Sequence, residues 1–294
     1  MIKPLLDRVL HRLRVGQRRR QLGALGVLSV LTVLSVSHYA GALPVRVERG
    51  LSVRQTQGEV TVLRSRGAAP ASSGARLSAV GDGLRTGSRS TAVLEVDTDV
   101  GFLDVSERTE LRIRALEMAG DGGRITHLSV PQGQVRMRLR RFTHPGSQFE
   151  IETPAGISGV RGTEFGVAVQ ADGKTGLATL SGAVETTAEG ESVAVPAGFQ
   201  NLMRPGEPPT APVPLRDDPG LAYERDVFLA NNTRFVTLVG RVDPVNTVFV
   251  DGAPQVVDRQ GEFRLTRVAT ARLRVEVLVV TPLGRQEIHE IYLL

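Results

Sequence analysis

Arg136, Arg138 and Arg140 stand at every second position and form the one row of side chains in this chain whose type and spacing suit a chemical task. In an extended strand alternate residues share a face, so the three guanidinium groups would line up and could hold an anionic polymer of a cell surface. The competing expectation is neutralisation within the sheet. If residues 143–147 connect this strand to the next, Arg140 opposes Glu150 and Arg138 opposes Glu152, with Leu139 and Ile151 paired on the other face. Because charged and apolar pairs fall into place together, this ladder is the expected arrangement. The arginine row is kept as the candidate strand for an anionic partner.

Other chemistry is thinly represented. The five histidines (His11, His38, His127, His144 and His289) lack the spacing that would put two ligands on one face of a strand or helix. Gly173-Lys174-Thr175 resembles the end of a phosphate loop but lacks the upstream glycine and falls between two strand-like runs, so it reads as a hairpin turn. Asp97, Asp99 and Asp104 lack the central glycine and closing glutamate of a calcium loop and read as solvated strand charges. No Gly-x-Ser-x-Gly elbow accompanies a serine, and the absence of cysteine removes disulfides, thiolate zinc sites and thiol nucleophiles. The expectation is a protein without catalytic, cofactor-binding or metal residues.

The formal charge of +5 suggests nucleic acid, but its location argues against that partner. Residues 1–42 hold seven basic groups and one acid, which leaves 29 basic against 30 acidic groups in the rest. A near-neutral body has no footprint for a polyanionic strand. The basic leader instead precedes an uncharged run, Leu22 to Val36, which extends to Ala42 as 21 residues if His38 is neutral. That is about enough to cross a bilayer, and Arg18 to Arg20 before it place the N-terminus in the cytoplasm. Everything after Ala42 is then extracytoplasmic. Ala40-Gly41-Ala42 also has the form of a signal-peptidase site, so cleavage and retention as an anchor both stay open for residues 1–45.

Beyond this segment the chain reads as strands. Thr91 to Asp97, Thr109 to Arg114 and Val135 to Arg140 alternate with period two, and Gly81-Asp82-Gly83, Gly120 to Gly123 and His144-Pro145-Gly146 supply turns. Residues 203–234 begin with a proline-rich linker and include a short helix expected over Leu221 to Ala230, with Asp218 as cap and Pro219 at its first position. Residues 235–294 return to short strands. Their order, Val-x-Val-Asp-Gly, Gly-x-Phe, then an apolar strand, resembles small Ig-like β-sandwich modules.

The densest motif is Thr153 to Phe165, TPAGISGVRGTEF, which reads as strand, corner, strand. Gly159 and Gly162 suit a backbone that must take φ > 0 or bring two chains close together. Gly58-Glu59-Val60, Thr86-Gly87-Ser88 to Ser90, the corner, Gly182-Ala183-Val184 and Pro196-Ala197-Gly198 follow one another in the order of FecR-type domains. The resemblance covers residues 51–202, and its corner residues are Thr153, Pro154, Gly156, Gly159, Arg161, Gly162, Thr163 and Phe165. It implies an all-β, roll- or solenoid-like periplasmic domain, here followed by the Ig-like module and preceded by a membrane-spanning or signal helix. Family members of this type receive a signal from a partner, in the best-known cases a TonB-dependent transporter, and pass it to a sigma factor. About 20 residues precede the apolar segment, too few for a sigma-binding domain, so direct sigma control is not expected. The expected partner is an envelope protein or glycan, and the alternative is a structural role in envelope or cell-wall assembly.

Overall fold

A computed structural model describes residues 49–270 and 272–294. The basic leader and the apolar run expected to be anchor or signal lie outside the described residues. All regular structure among the described residues is β.

The first module begins with β1 (Leu51–Gln57), β2 (Val60–Arg64), β3 (Gly67–Pro70), β4 (Arg76–Leu77), β5 (Gly83–Thr86), β6 (Thr91–Val96), β7 (Gly101–Val105) and β8 (Glu110–Met118). The long β9 (Arg124–Leu139) follows. Then come β10 (Gln148–Thr153), β11 (Gly156–Val160), β12 (Glu164–Val169), β13 (Thr175–Ser181), β14 (Ala183–Ala188), β15 (Glu191–Pro196), β16 (Phe199–Met203) and β17 (Val213–Pro214).

These strands form two layers joined by β9. One layer runs β4, β1, β6, β7, β9, β12, β13, β16, β17. The other runs β3, β2, β5, β8, β9, β10, β11, β14, β15. β9 changes layer at Gly133: Gln132 still pairs with Glu110 of β8, whereas Gly133 pairs with Val169 of β12. Gly133 has φ +90°, and a Cβ there would come within 2.7 Å of the Thr109 Cβ, so the bend needs glycine. Period-two alternation directs Leu94, Val135, Met137 and Phe165 of the first layer and Ile113, Leu128, Phe149 and Ile151 of the second into one buried core.

The antiparallel ladder expected between the arginine strand and Gln148 to Glu152 does not form. β10 instead runs parallel to the first half of β9, with Gln148 beside Ile125 and Glu152 beside Ser129. The physical reason is edge occupancy. β7 and β12 already flank the second half of β9, so the chain must cross back to the other layer to find a free edge.

The second module contains β18 (Ala222–Ala230), β19 (Thr233–Arg241), β20 (Thr247–Val250), β21 (Ala253–Gln255), β22 (Glu262–Val268), β23 (Arg274–Val280) and β24 (Gln286–Tyr292). A three-stranded sheet, β18, β19, β22, faces a four-stranded one, β21, β20, β23, β24, around Val236, Leu238, Val250, Phe263, Val277 and Ile291. This is a small antiparallel sandwich of the Ig-like kind. The helix expected over Leu221 to Ala230 is the strand β18. Asn231 and Asn232, with φ of 49° and 59°, make a two-residue turn that closes a hairpin with β19, and this local chemistry overrides the Asp-Pro helix start. The proline-rich segment lies along β16, where Thr210 N donates to Leu202 O at 2.9 Å and Leu215 N donates to Gly198 O at 2.8 Å.

Candidate functional site

The Thr153 to Phe165 motif carries the chain from one layer to the other. Thr153 ends β10, and its Oγ1 donates to Gly156 O at 3.1 Å across an exposed turn at Pro154. Gly156 opens β11 where a Cβ would come within 2.5 Å of Thr187 O. Arg161, Gly162 and Thr163 then form the corner between β11 in the second layer and β12 in the first. Gly162 has φ +99°, and a Cβ there would sit 2.6 Å from Arg141 N and 2.7 Å from Arg140 O. Phe142 N donates to Arg161 O at 3.4 Å, and Leu139 N donates to Thr163 O at 3.0 Å. The Arg161 side chain is exposed and donates to Pro145 O at 3.1 Å, while Phe165 is fully buried. Gly159 differs from expectation: its φ is negative, and a Cβ there would meet only Glu185 O at 4.0 Å. It sits in a flat stretch of β11, and the crowding is confined to Gly156 and Gly162.

The arginine row is neutralised by acids other than those expected. Arg136 Nη2 pairs with Glu164 at 2.6 Å and Arg138 Nη2 with Asp104 at 3.0 Å, because β12 and β7 are the neighbours of this half of β9. Asp104 is therefore an ion-pair partner. Glu152 instead meets Arg114 of β8 at 3.1 Å. Arg140 lies just past β9 with an exposed side chain that has no ion pair among the described residues.

The two modules meet along a polar seam. Gln134 Nε2 donates to Thr281 O at 2.7 Å, Gln170 Nε2 to Asn246 O at 2.6 Å, and Gln200 Nε2 to Asp243 Oδ2 at 2.9 Å. Lys174 sits in the hairpin turn between β12 and β13, as expected, but its fully buried side chain crosses the seam and donates to Val257 O at 2.5 Å. Burial lowers its pKa to about 8, with nearby Arg204 adding to the shift and Asp172 and Asp258 opposing it. Two strand glycines allow the close approach: a Cβ on Gly166 would come within 2.5 Å of Pro282 C, and one on Gly176 within 2.9 Å of Val245 Cα.

Beside this seam lies a cleft of about 980 Å³ lined by both modules. From the first module come Gln57, Arg108, Gln132, Gln134 and Gln170, and from the second Phe249, Leu278, Gln286 and Ile288. Phe249, Leu278 and Ile288 stand side by side across β20, β23 and β24. The Arg108 guanidinium lies over the Phe249 ring, 5.1 Å from its centroid. Among the described residues no cluster of three or more His, Asp or Glu side chains could hold a metal ion.

Residues 82–185 match the family model described as FecR protein. The chain carries a FecR domain. The match runs from the start of β5 to within β14 and contains the whole corner motif. Among solved structures, two crystal structures of a "putative anti-sigma factor" from Parabacteroides distasonis are similar at 16% identity, with TM-scores of 0.38 and 0.37. In each, 48% of this chain aligns with 66% of the other, so the chain spans just under two thirds of that protein. A polysaccharide lyase is similar at 11% identity with a TM-score of 0.18, over 83% of this chain and 39% of the other. No curated protein matches the chain.

The FecR domain was legible from its glycine-rich motif. The contacts between it and the Ig-like module were not read from the sequence. Their one local signal is glycine inside otherwise apolar strands, as in Phe165-Gly166-Val167 and Thr175-Gly176-Leu177, which marks close backbone approach without naming what approaches.

Proposed function

We propose that this protein is a non-enzymatic binding or sensory module of the cell envelope, held outside the cytoplasm and acting without direct control of a sigma factor. The observation that carries this reading is the FecR domain docked to an Ig-like module around a large cleft. Clefts at module boundaries are favoured ligand sites because two surfaces converge there. The arginine block ahead of the uncharged run from Leu22 to Ala42 supports export. A reporter active only outside the cytoplasm, fused after Leu294, is expected to be active, and cross-linking in intact cells is expected to capture an envelope protein or glycan. A reporter active only in the cytoplasm would refute the reading.

A structural role in envelope assembly is the second reading, supported by β18. This edge strand is exposed over nearly its whole length and carries Val227, Phe228 and Leu229, the last 71% exposed. Unprotected apolar edges of this kind pair with other chains. Concentration-dependent self-association in solution, abolished by Val227→Pro, would favour this reading.

A further inference from the structure

The cleft beside the seam has a lining with a definite chemical character. Phe249, Leu278 and Ile288 are in register across three neighbouring strands, so they make a continuous apolar stripe on the outer face of the four-stranded sheet. The outer two strands are about 10 Å apart. Polar residues flank the stripe on both sides. Thr247 and Gln286 stand in the row at one side, and Glu276 stands in the row at the other. Gln132 lines the same cleft from the FecR domain.

Four of the six glutamines that line the cleft contrast in their bonding. Gln134 and Gln170 are buried and bonded to carbonyls across the seam. Gln132 and Gln286 are exposed, and neither side chain has a hydrogen-bond partner among the described residues; the Glu276 carboxylate is likewise unpaired there. Charge within the cleft is nearly balanced, with Arg89 and Arg108 against Glu107, Asp251 and Glu276. Neither a polyanion nor a polycation is selected by such a lining. An extended peptide is also poorly matched, because the stripe is a sheet face whose backbone groups already pair within the sheet and offer no new ladder.

An apolar stripe flanked by amides and a carboxylate matches a sugar chain, whose ring faces are apolar and whose edges carry hydroxyl groups that both donate and accept. We propose that the cleft binds a neutral oligosaccharide, seated on Leu278 and Ile288 beside the Phe249 ring that Arg108 covers, with hydroxyl groups held by Gln132, Gln286 and Glu276. This assignment rests on the reading of the protein as an envelope binding module and names the ligand class of that module.

The test is calorimetric titration of the full chain, in a detergent without a sugar headgroup, with chitohexaose, cellohexaose and maltohexaose. Polyglutamate and an uncharged extended peptide serve as competitors. Saturable binding of at least one hexasaccharide is expected, little changed by added salt because no ion pair is formed. Ile288→Ala and Gln286→Ala change exposed side chains and are expected to leave the melting curve unaltered. Each should weaken binding about tenfold, the effect of losing one good contact of about 1.4 kcal/mol. Failure of all three hexasaccharides to bind, or binding that both variants leave unchanged, would overturn the assignment. Peptide binding that the variants weaken would reject the sugar but keep the binding module. Absence of all binding, together with no partner captured in intact cells, would remove both.

Discussion

The corner at Gly162 and the seam at Lys174 bring chain segments equally close, yet they are held by different forces. At the corner, backbone meets backbone: Gly162 lies against Arg140 and Arg141, and main-chain hydrogen bonds from Leu139 and Phe142 close the junction. At the seam, side chains reach across: three glutamine amides and a buried ammonium donate to oxygens of the other module. The corner sits against an apolar core and is part of the fold. The seam joins two modules with separate cores, and its polar groups specify one docking geometry, since each buried donor must find its acceptor.

Gly162→Val should break the corner and have the largest effect. The new Cβ would meet main-chain atoms that cannot rotate away, in a backbone conformation that β-branched residues avoid, so a loss of about 3 kcal/mol or more is expected. Denaturant unfolding of the full chain would measure it, and an unchanged midpoint would show that the corner is not a constraint. Gly159→Ala is the matched control and should be nearly silent, because a Cβ there has open space.

Gly166→Ala should break the seam and spare both cores. Its Cβ would collide with the Pro282 carbonyl group, so the modules are expected to separate at a cost of about 2 kcal/mol. Two thermal transitions should replace one, and trypsin should cut after Arg216. A single unchanged transition would mean that the seam yields without loss.

The pH dependence sharpens the contrast further. Because Lys174 has a pKa of about 8 in the folded chain, against an ordinary 10.5, the unfolded chain binds more protons between those values. Stability should therefore rise with pH across that window, and below it Lys174 contributes no slope because both states are protonated. In Lys174→Met this part of the rise should disappear. The net change near pH 7 should be about 1 kcal/mol, since removing a buried charge is offset by leaving Val257 O unpaired. Unfolding midpoints from pH 7 to 10.5 would decide; the same slope in both proteins would exclude Lys174 as the source.

The smallest effect is expected for Arg136→Gln combined with Arg138→Gln. Exposed pairs contribute about 0.2 to 1 kcal/mol each, and the difference should shrink at high salt. Loss of envelope association at unaltered stability would return this strand to the role of an anion-binding surface.

What could be read from the chain followed the range of the forces involved. Period-two alternation found the strands containing Leu94, Ile113 and Met137, because burial on one face is written locally. Gly162 was legible because a positive φ leaves a local mark. The partners of Arg136 and Arg138 were not, because Glu164 and Asp104 become neighbours only after the chain has changed layer. The hairpin at Asn231-Asn232 was also missed: the Asp-Pro pair ahead of it favoured a helix start, and the stronger turn signal came later in the chain. The glutamines of the seam look like any surface amides until a second module is placed against them.

The long strand β9 has a consequence for the order in which the FecR domain assembles. The eight strands before it can pair among themselves, leaving β7 and β8 as open edges in the two layers. β9 closes both edges, and its own free sides then receive β10 and β12. Until residue 139 has emerged from synthesis or export, the N-terminal half therefore presents two unfinished edges at once. Waiting for distant strands is slow and exposes such edges to pairing with other chains. The rate at which the middle of the chain is delivered would thus set the yield of folded protein, and β9 would act as the latch of the folding reaction.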